Sequence, residues 1–276
     1  MEFASLYRAF GAEVTVVEVL ERVLPGEDPD VSSEIARALR HKGVTVVAGA
    51  RIEDVVVKDD TVTATILDGG SSQQVEAKML LSAVGRTPVS AGLGLDEIGV
   101  RREHEFVVPA VWDRLETHVP GVHVVGDLLP PPSLALAHAS FAEGLLVAET
   151  LAGRHPAPIR YPGVARATYS LPEAASVGLS EPEAAALGYD LVVNRFPLSG
   201  VGRGLIYGQG GMVKVIAERA GPVLGVHRLQ ATEVNDLAVR WNCKAGKCGS
   251  CSAEINGRPK LLCMTRLSAL PPGPVT

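Results

Sequence analysis

Cysteine is missing from the first 242 of the 276 residues, and all four cysteines fall between positions 243 and 263. A disulfide framework would scatter its thiols along the chain, so this clustering points instead to a metal site in a reducing compartment. No apolar run approaches the roughly 18 residues needed to span a bilayer. The amino terminus carries no basic segment followed by an apolar one, so no secretory signal is expected and the cytoplasm is the expected location. Positive charge is in deficit. A net charge of -5 argues against a general binder of nucleic acid or anionic membrane. What remains is an ordinary globular composition, 46% hydrophobic and 21% charged, with enough length for one or two domains and a sizeable core.

The most informative stretch is Thr117-His-Val-Pro-Gly-Val-His-Val-Val-Gly-Asp127. Val122 to Val125 predict one buried strand of a parallel sheet, Gly126 a tight turn, and Asp127 a carboxylate just past the strand's end. Ligands of open α/β sheets sit at that end, where an acid can accept hydrogen bonds from ribose or ribityl hydroxyls. The pattern alone is equally that of a strand followed by a plain Gly-Asp turn.

Taken from its first residue, the chain opens with Phe3, Leu6, Tyr7 and Phe10 at helical spacing, closed by Gly11. Val14 to Val17 then predict a short strand ending at Glu18. Helix, glycine, strand, acid is the second half of a dinucleotide-binding βαβ unit, whose acid takes ribose hydroxyls. Glu18 could equally be a solvated carboxylate at a strand end. No glycine-rich loop precedes the helix, so weak NAD binding or none is expected. Asp30 is the expected cap of a helix reaching about His41, and Val44 to Val47 form the next strand. Ile52 to Val57, Thr61 to Leu67 and Gln74 to Leu81 read as hairpin strands. Gly85-Arg86-Thr87-Pro88 follows, then a helix over Ala135 to Leu151. Pro156, Pro158 and Pro162 mark a linker; beyond it Ser180 and Glu183 have capping-box spacing, and Met212 to Ala217 and Val223 to His227 read as paired strands. That last region reads as packing and interface, without chemistry.

The eleven-residue run ending at Asp127 resembles the second flavin-binding motif of the pyridine nucleotide-disulfide oxidoreductases, most closely the dihydrolipoamide dehydrogenases. The resemblance covers residues 1 to about 233 and gives Asp127, after Gly126, the ribityl chain of FAD to hold. Met1-Glu-Phe-Ala4 resembles the run after the family's NAD glycine loop, which makes Glu18 the implied ribose ligand of NAD. Gly85-Arg86-Thr87-Pro88 resembles the crossing back to the FAD domain, implying that Arg86 contacts cofactor or bridges two domains; a solvated arginine on a surface turn is the alternative. Ala137-His138 and Glu143-Gly144 match the helix whose amino end lies near the isoalloxazine ring, although His138 by itself could be a buried, hydrogen-bonded histidine. Tyr169 to Glu181 resembles the opening of the dimerisation domain, so a homodimer through residues 156–233 is implied. The family's redox cysteine pair, glycine-rich loops and His-Pro dyad find no match, and this polypeptide alone is expected to be inactive or nearly so.

From about Thr232 the text changes. Cys243-Lys-Ala-Gly-Lys-Cys248-Gly-Ser-Cys251, followed by Cys263, has the C-x4-C-x2-C spacing of a plant-type 2Fe–2S cluster. Gly246 and Gly249 allow three thiolates to converge; zinc, the main competitor, prefers two C-x2-C knuckles, and one close pair is present. Asp236 through Asn256-Gly-Arg-Pro and Leu262-Cys-Met-Thr resembles the iron-sulfur subunit of succinate dehydrogenase or fumarate reductase. That implies an electron-transfer module as an alternative function, and a non-catalytic chimeric fragment is a third. The expected fold class is α/β, with partial FAD/NAD(P)-binding Rossmann-like domains, a truncated α+β dimerisation domain and a ferredoxin-like cysteine loop. The expected boundaries are 1–87 for the NAD part, 88–155 for the FAD part, 156–233 for dimerisation and 234–276 for the cysteine segment.

Overall fold

The computed structural model describes residues 1–200, 211–230, 252–255 and 258–261. Helix α1 (Glu2–Ala9) leads into strand β1 (Val14–Glu18). Helix α2 (Pro29–His41) then crosses over to β2 (Val44–Ala48), which lies parallel to β1 with Val14 opposite Val44 and Glu18 opposite Ala48. Parallel neighbours require such a crossover, and α2 seals it by burying Val31, Ile35 and Leu39, four residues apart on one face. Asp28 caps α2 in place of Asp30: its carboxylate accepts the Asp30 N–H at 3.0 Å. The reason is Pro29, whose missing N–H and fixed φ suit the first helical position and draw the helix start upstream.

Strands β3 (Ala50–Lys58), β4 (Thr61–Asp68) and β5 (Ser71–Ala77) form an antiparallel meander with a bulge between Glu53 and Val56. A long connection then reaches the two-residue strands β6 (Arg102–Glu103) and β7 (Phe106–Val107). The run Val122 to Val125 is not the parallel strand its sequence suggests. Its sheet-like pairing is a single antiparallel bridge between His123 and Glu116, and Val125 is 38% exposed. A short apolar run becomes a parallel strand only when neighbouring strands lie alongside, and none does among the described residues. Val124 instead enters a small core with Val100, Val107, Leu115, Leu129 and Leu146. Leu146 belongs to helix α3 (Ala137–Leu151), so this core fixes the helix beneath the Gly126–Leu128 turn.

The last large sheet is built from β8 (Arg166–Thr168), β9 (Glu173–Gly178), β10 (Leu191–Pro197), β11 (Gly211–Glu218) and β12 (Val223–Gln230), in the order β10-β11-β12-β9-β8. Helix α4 (Glu181–Ala186) starts with the expected capping box: Ser180 Oγ accepts the Glu183 N–H while Glu183 reaches back to the Ser180 N–H. Two glycines permit a close crossing here. A Cβ on Gly178 would lie 2.1 Å from the Leu224 carbonyl oxygen, and one on Gly225 would lie 2.0 Å from that of Leu179.

Met1–Phe196 and Val213–Leu229 form one compact unit; Pro197–Met212 and Gln230–Thr276 form a second. In the second, β13 (Ser252–Ile255) and β14 (Arg258–Leu261) pair as an antiparallel hairpin, Ser252 opposite Leu261. Among the described residues, no helix is long and apolar enough to cross a membrane.

Candidate functional site

Gly126 adopts φ +72°, a left-handed conformation natural only to glycine, and a Cβ there would lie 3.4 Å from Ser140 Oγ of α3. This turn is tied inward. The Gly126 N–H donates to Glu143 Oε2 at 2.6 Å, and Glu143 is fully buried. The other Glu143 oxygen accepts the Ser133 hydroxyl at 2.7 Å and the Tyr161 hydroxyl at 3.1 Å. Burial, with the neighbouring Glu143 carboxylate, pushes the Tyr161 phenol up to about 12. Asp127, one residue on, faces the other way. Its side chain is 44% exposed, and Oδ2 accepts from Arg86 Nη2 at 2.5 Å, with Arg86 itself 76% exposed. Arg86 and Asp127, 41 positions apart in the chain, thus meet at one surface.

The amino end of α3 opens beside this turn without a side-chain cap, and Ala137 and His138 are both exposed. Uncapped first-turn amides and the helix dipole favour negative charge at this end. His138 is not the buried histidine that its sequence alone allowed: it is exposed, and its Nε2 donates to the Ala165 carbonyl at 2.7 Å.

Glu18 ends β1 as expected and is half-buried, with Oε1 accepting the Leu20 N–H at 2.9 Å. Beside it opens a cleft of about 480 Å3 lined by Val19, Gly49, Arg51, Leu67 and Gly70. The amino end of α1 is engaged elsewhere. Glu2 accepts the Tyr169 N–H at 2.7 Å and Ser5 Oγ accepts the Leu171 N–H at 3.0 Å.

These arrangements bear differently on the two cofactors. Asp127 and the uncapped end of α3 fit the ribityl and ring portions of FAD: an outward carboxylate stands beside a positive helix end. On the NAD side Glu18 offers a carboxylate at the end of β1, and Glu2, at the amino end of α1, is bonded to the Tyr169 amide.

One buried charged cluster escaped the sequence reading, which assigned residues 156–233 to packing and interface. Lys214, 1% exposed, places Nζ 2.7 Å from Asp28 Oδ1, 2.6 Å from Asp30 Oδ2 and 2.7 Å from Glu181 Oε2. Arg195 adds bonds to Asp30 and Glu181, and the remaining Asp28 oxygen accepts the Glu181 N–H at 3.0 Å. Burial alone would raise both aspartates, but the Glu181 and Asp30 amides with Lys214 hold Asp28 below the usual carboxylate range, as Lys214 and Arg195 do Asp30. Burial likewise works against the Lys214 ammonium, and its three carboxylates outweigh it, raising its pKa. A signal was available. Strand alternation places Lys214 on the same face as buried Ile216, where a lysine requires partners.

The four cysteines proposed as cluster ligands lie outside the described residues. Among the described residues, no group of three His, Cys, Asp or Glu side chains is placed to hold a metal ion.

Residues 1–144 match the family model of the pyridine nucleotide-disulphide oxidoreductases, and residues 164–245 match that family's dimerisation domain, a match that takes in Cys243. The chain is 35% identical over 254 residues to the dihydrolipoyl dehydrogenase of Chlorobaculum tepidum, covering 89% of this chain and 53% of the relative. It is 34% identical over 233 residues to that of Bacillus subtilis, covering 83% and 48%. Among solved structures, LpdA of Mycobacterium tuberculosis superposes with a TM-score of 0.72 at 29% identity, covering 83% of this chain and 49% of that one. RclA of Escherichia coli, a HOCl-induced flavoprotein disulfide reductase, gives 0.70 at 25%, covering 84% and 52%. The chain spans about half the length of the curated relatives it matches. With the family model over residues 1–144 and its dimerisation domain over residues 164–245, the chain belongs to the pyridine nucleotide-disulphide oxidoreductases.

Proposed function

We propose that this chain is the flavin-facing and dimerising portion of an FAD-dependent oxidoreductase of the dihydrolipoyl dehydrogenase type, and that by itself it turns over little or no substrate. The observation that carries the reading is the Gly126–Asp127 turn, which presents a half-exposed carboxylate beside the uncapped end of α3. Asp127 would hold the ribityl hydroxyls, Ala137 and His138 would flank the ring, and Arg86 would orient Asp127. Bound FAD supplies two-electron exchange with a dithiol or a nicotinamide. Glu18 is the proposed ribose acceptor for NAD, bound weakly because its pyrophosphate has no cradle here. Catalysis by hydride transfer needs both partners held in contact geometry, and the 276 residues include neither glycine-rich loop. The proposed divisions near residues 87, 155 and 233 follow the same reading, and residues 156–233 would mediate a homodimer.

The test is an FAD titration of the full chain followed by flavin fluorescence, with Asp127→Ala beside it. Quenching that saturates in the unaltered chain and is shifted to markedly higher FAD concentration in D127A is the expected result; equal behaviour of the two removes Asp127 from the site. Sedimentation of the same preparation reads the dimer.

A second reading rests on the spacing of Cys243, Cys248, Cys251 and Cys263, proposed as ligands of a 2Fe–2S cluster in an electron-transfer module. The β13–β14 hairpin lies between Cys251 and Cys263 in the sequence. Iron and acid-labile sulfide in anaerobically purified chain, lost in C248S, would support it; colourless, iron-free protein would remove it.

A further inference from the structure

Glu143 is a fully buried carboxylate whose partners are all neutral: one backbone amide and two hydroxyls. Such a group is costly to bury, and leucine would fill the same space without that cost. Its bonds therefore have to hold something that matters. They gather three separate segments: Ser133 ahead of α3, Tyr161 beyond it, and the Gly126 amide of the turn. The Gly126 bond is the shortest of the three, and it immediately precedes the residue whose direction the proposed flavin site depends on. Glycine leaves that peptide free to rotate, so an external tether is what fixes it.

We infer that Glu143 is a positioning residue for Asp127: by gripping the Gly126 amide from inside, it aims the next carboxylate outward beside Arg86. This rests on the reading of Asp127 as a flavin ligand. Ser133 and Tyr161 hold the Glu143 carboxylate in place from the opposite side, so the tether is anchored at both ends. Without it the Gly126 N–H has to find another acceptor, and Asp127 loses its fixed direction while the core beneath keeps its apolar contacts.

The test uses the full chain, with FAD as the probe. Glu143→Gln retains one acceptor oxygen and Glu143→Leu retains none, so the affinities should fall in the order unaltered, E143Q, E143L, the last by about tenfold or more. The decisive comparison is non-additivity. Added to Asp127→Ala, E143L should weaken FAD binding no further, because its effect passes through Asp127. An equal loss in both backgrounds, or a lowered melting temperature with unchanged affinity in the folded variant, overturns the inference. If the unaltered chain binds no FAD, the flavin reading itself falls. Hydrogen exchange at the Gly126 amide then decides the tether: faster exchange in E143L upholds it and unchanged exchange overturns it. Should E143L fail to fold, E143Q carries the same comparisons with a smaller expected loss.

Discussion

Two buried acidic centres in this molecule are satisfied in opposite ways. Around Lys214, three carboxylates from α2 and α4 and their approaches converge on one ammonium, with Arg195 closing the outer side. Around Glu143, a single carboxylate is held by an amide and two hydroxyls, with no cation bonded to it among the described residues. The first centre joins Asp28 and Asp30, within the first family match, to Glu181, Arg195 and Lys214, within the dimerisation match. Its charges compensate one another in the interior, the arrangement of a structural clamp. The second leaves its charge work to the surface, where Asp127 and Arg86 pair. The first centre ties α2 and α4 to β11 through opposite charges, and the second ties the Gly126 turn to α3 through neutral donors.

Removing Lys214 should separate the two centres most sharply. Lys214→Met leaves Asp28 buried without its cation, and a stability loss of about 3–5 kcal/mol is expected from urea unfolding. A loss below about 1 kcal/mol would show that the clamp is solvated in solution. The acid side follows with the sign worked through. Asp28 and Asp30 have folded pKa values below their unfolded ones, so their contribution is complete above about pH 4 and is lost as pH falls through the lower folded values. The urea midpoint should therefore drop below about pH 4, and that drop should shrink in a D28N/D30N double variant.

The Glu143 centre responds at the opposite end of the scale. The Tyr161 phenol, raised to about 12, contributes stability that is complete below its unfolded value near 10 and is lost as pH rises through the folded one. Tyr161→Phe should remove this alkaline loss and cost about 1 kcal/mol at neutral pH. Ser180→Ala, which breaks the capping box of α4 near the clamp, should cost a similar ~1 kcal/mol by thermal unfolding. Smallest of all is the surface pair. Arg86→Ala should change stability by less than about 0.5 kcal/mol, because both groups are largely solvated, while weakening FAD binding. A large stability loss with unchanged FAD affinity would recast Arg86 and Asp127 as a second clamp.

Much of the fold was legible from local chemistry. The α1–β1–α2–β2 succession, the meander and the capping box each follow from apolar period, glycine stops and short-range polar pairing. The third hairpin strand runs Ser71–Ala77 rather than Gln74 to Leu81, and two further local readings erred for identifiable reasons. Asp30 gave way to Asp28 because Pro29 is best placed as the first helical residue. Val122 to Val125 did not become a parallel strand because an apolar run specifies burial, and only neighbouring strands make it part of a sheet. His138 was ambiguous in sequence because exposure is a property of what packs nearby, and here it is exposed and bonded to the Ala165 carbonyl.

By itself, then, the sequence determined the opening α1–β1–α2–β2 succession, the family likeness and the place of Asp127 just after a glycine, since each is written in short local spacings. Only the tertiary structure decided that Arg86 meets Asp127, that Glu143 grips the turn from within, and that Lys214 gathers Asp28, Asp30 and Glu181. These contacts join residues from 17 to 186 positions apart. Burial gives them their strength, because an unpaired charge or amide out of water is costly, and burial is a property of the folded chain as a whole.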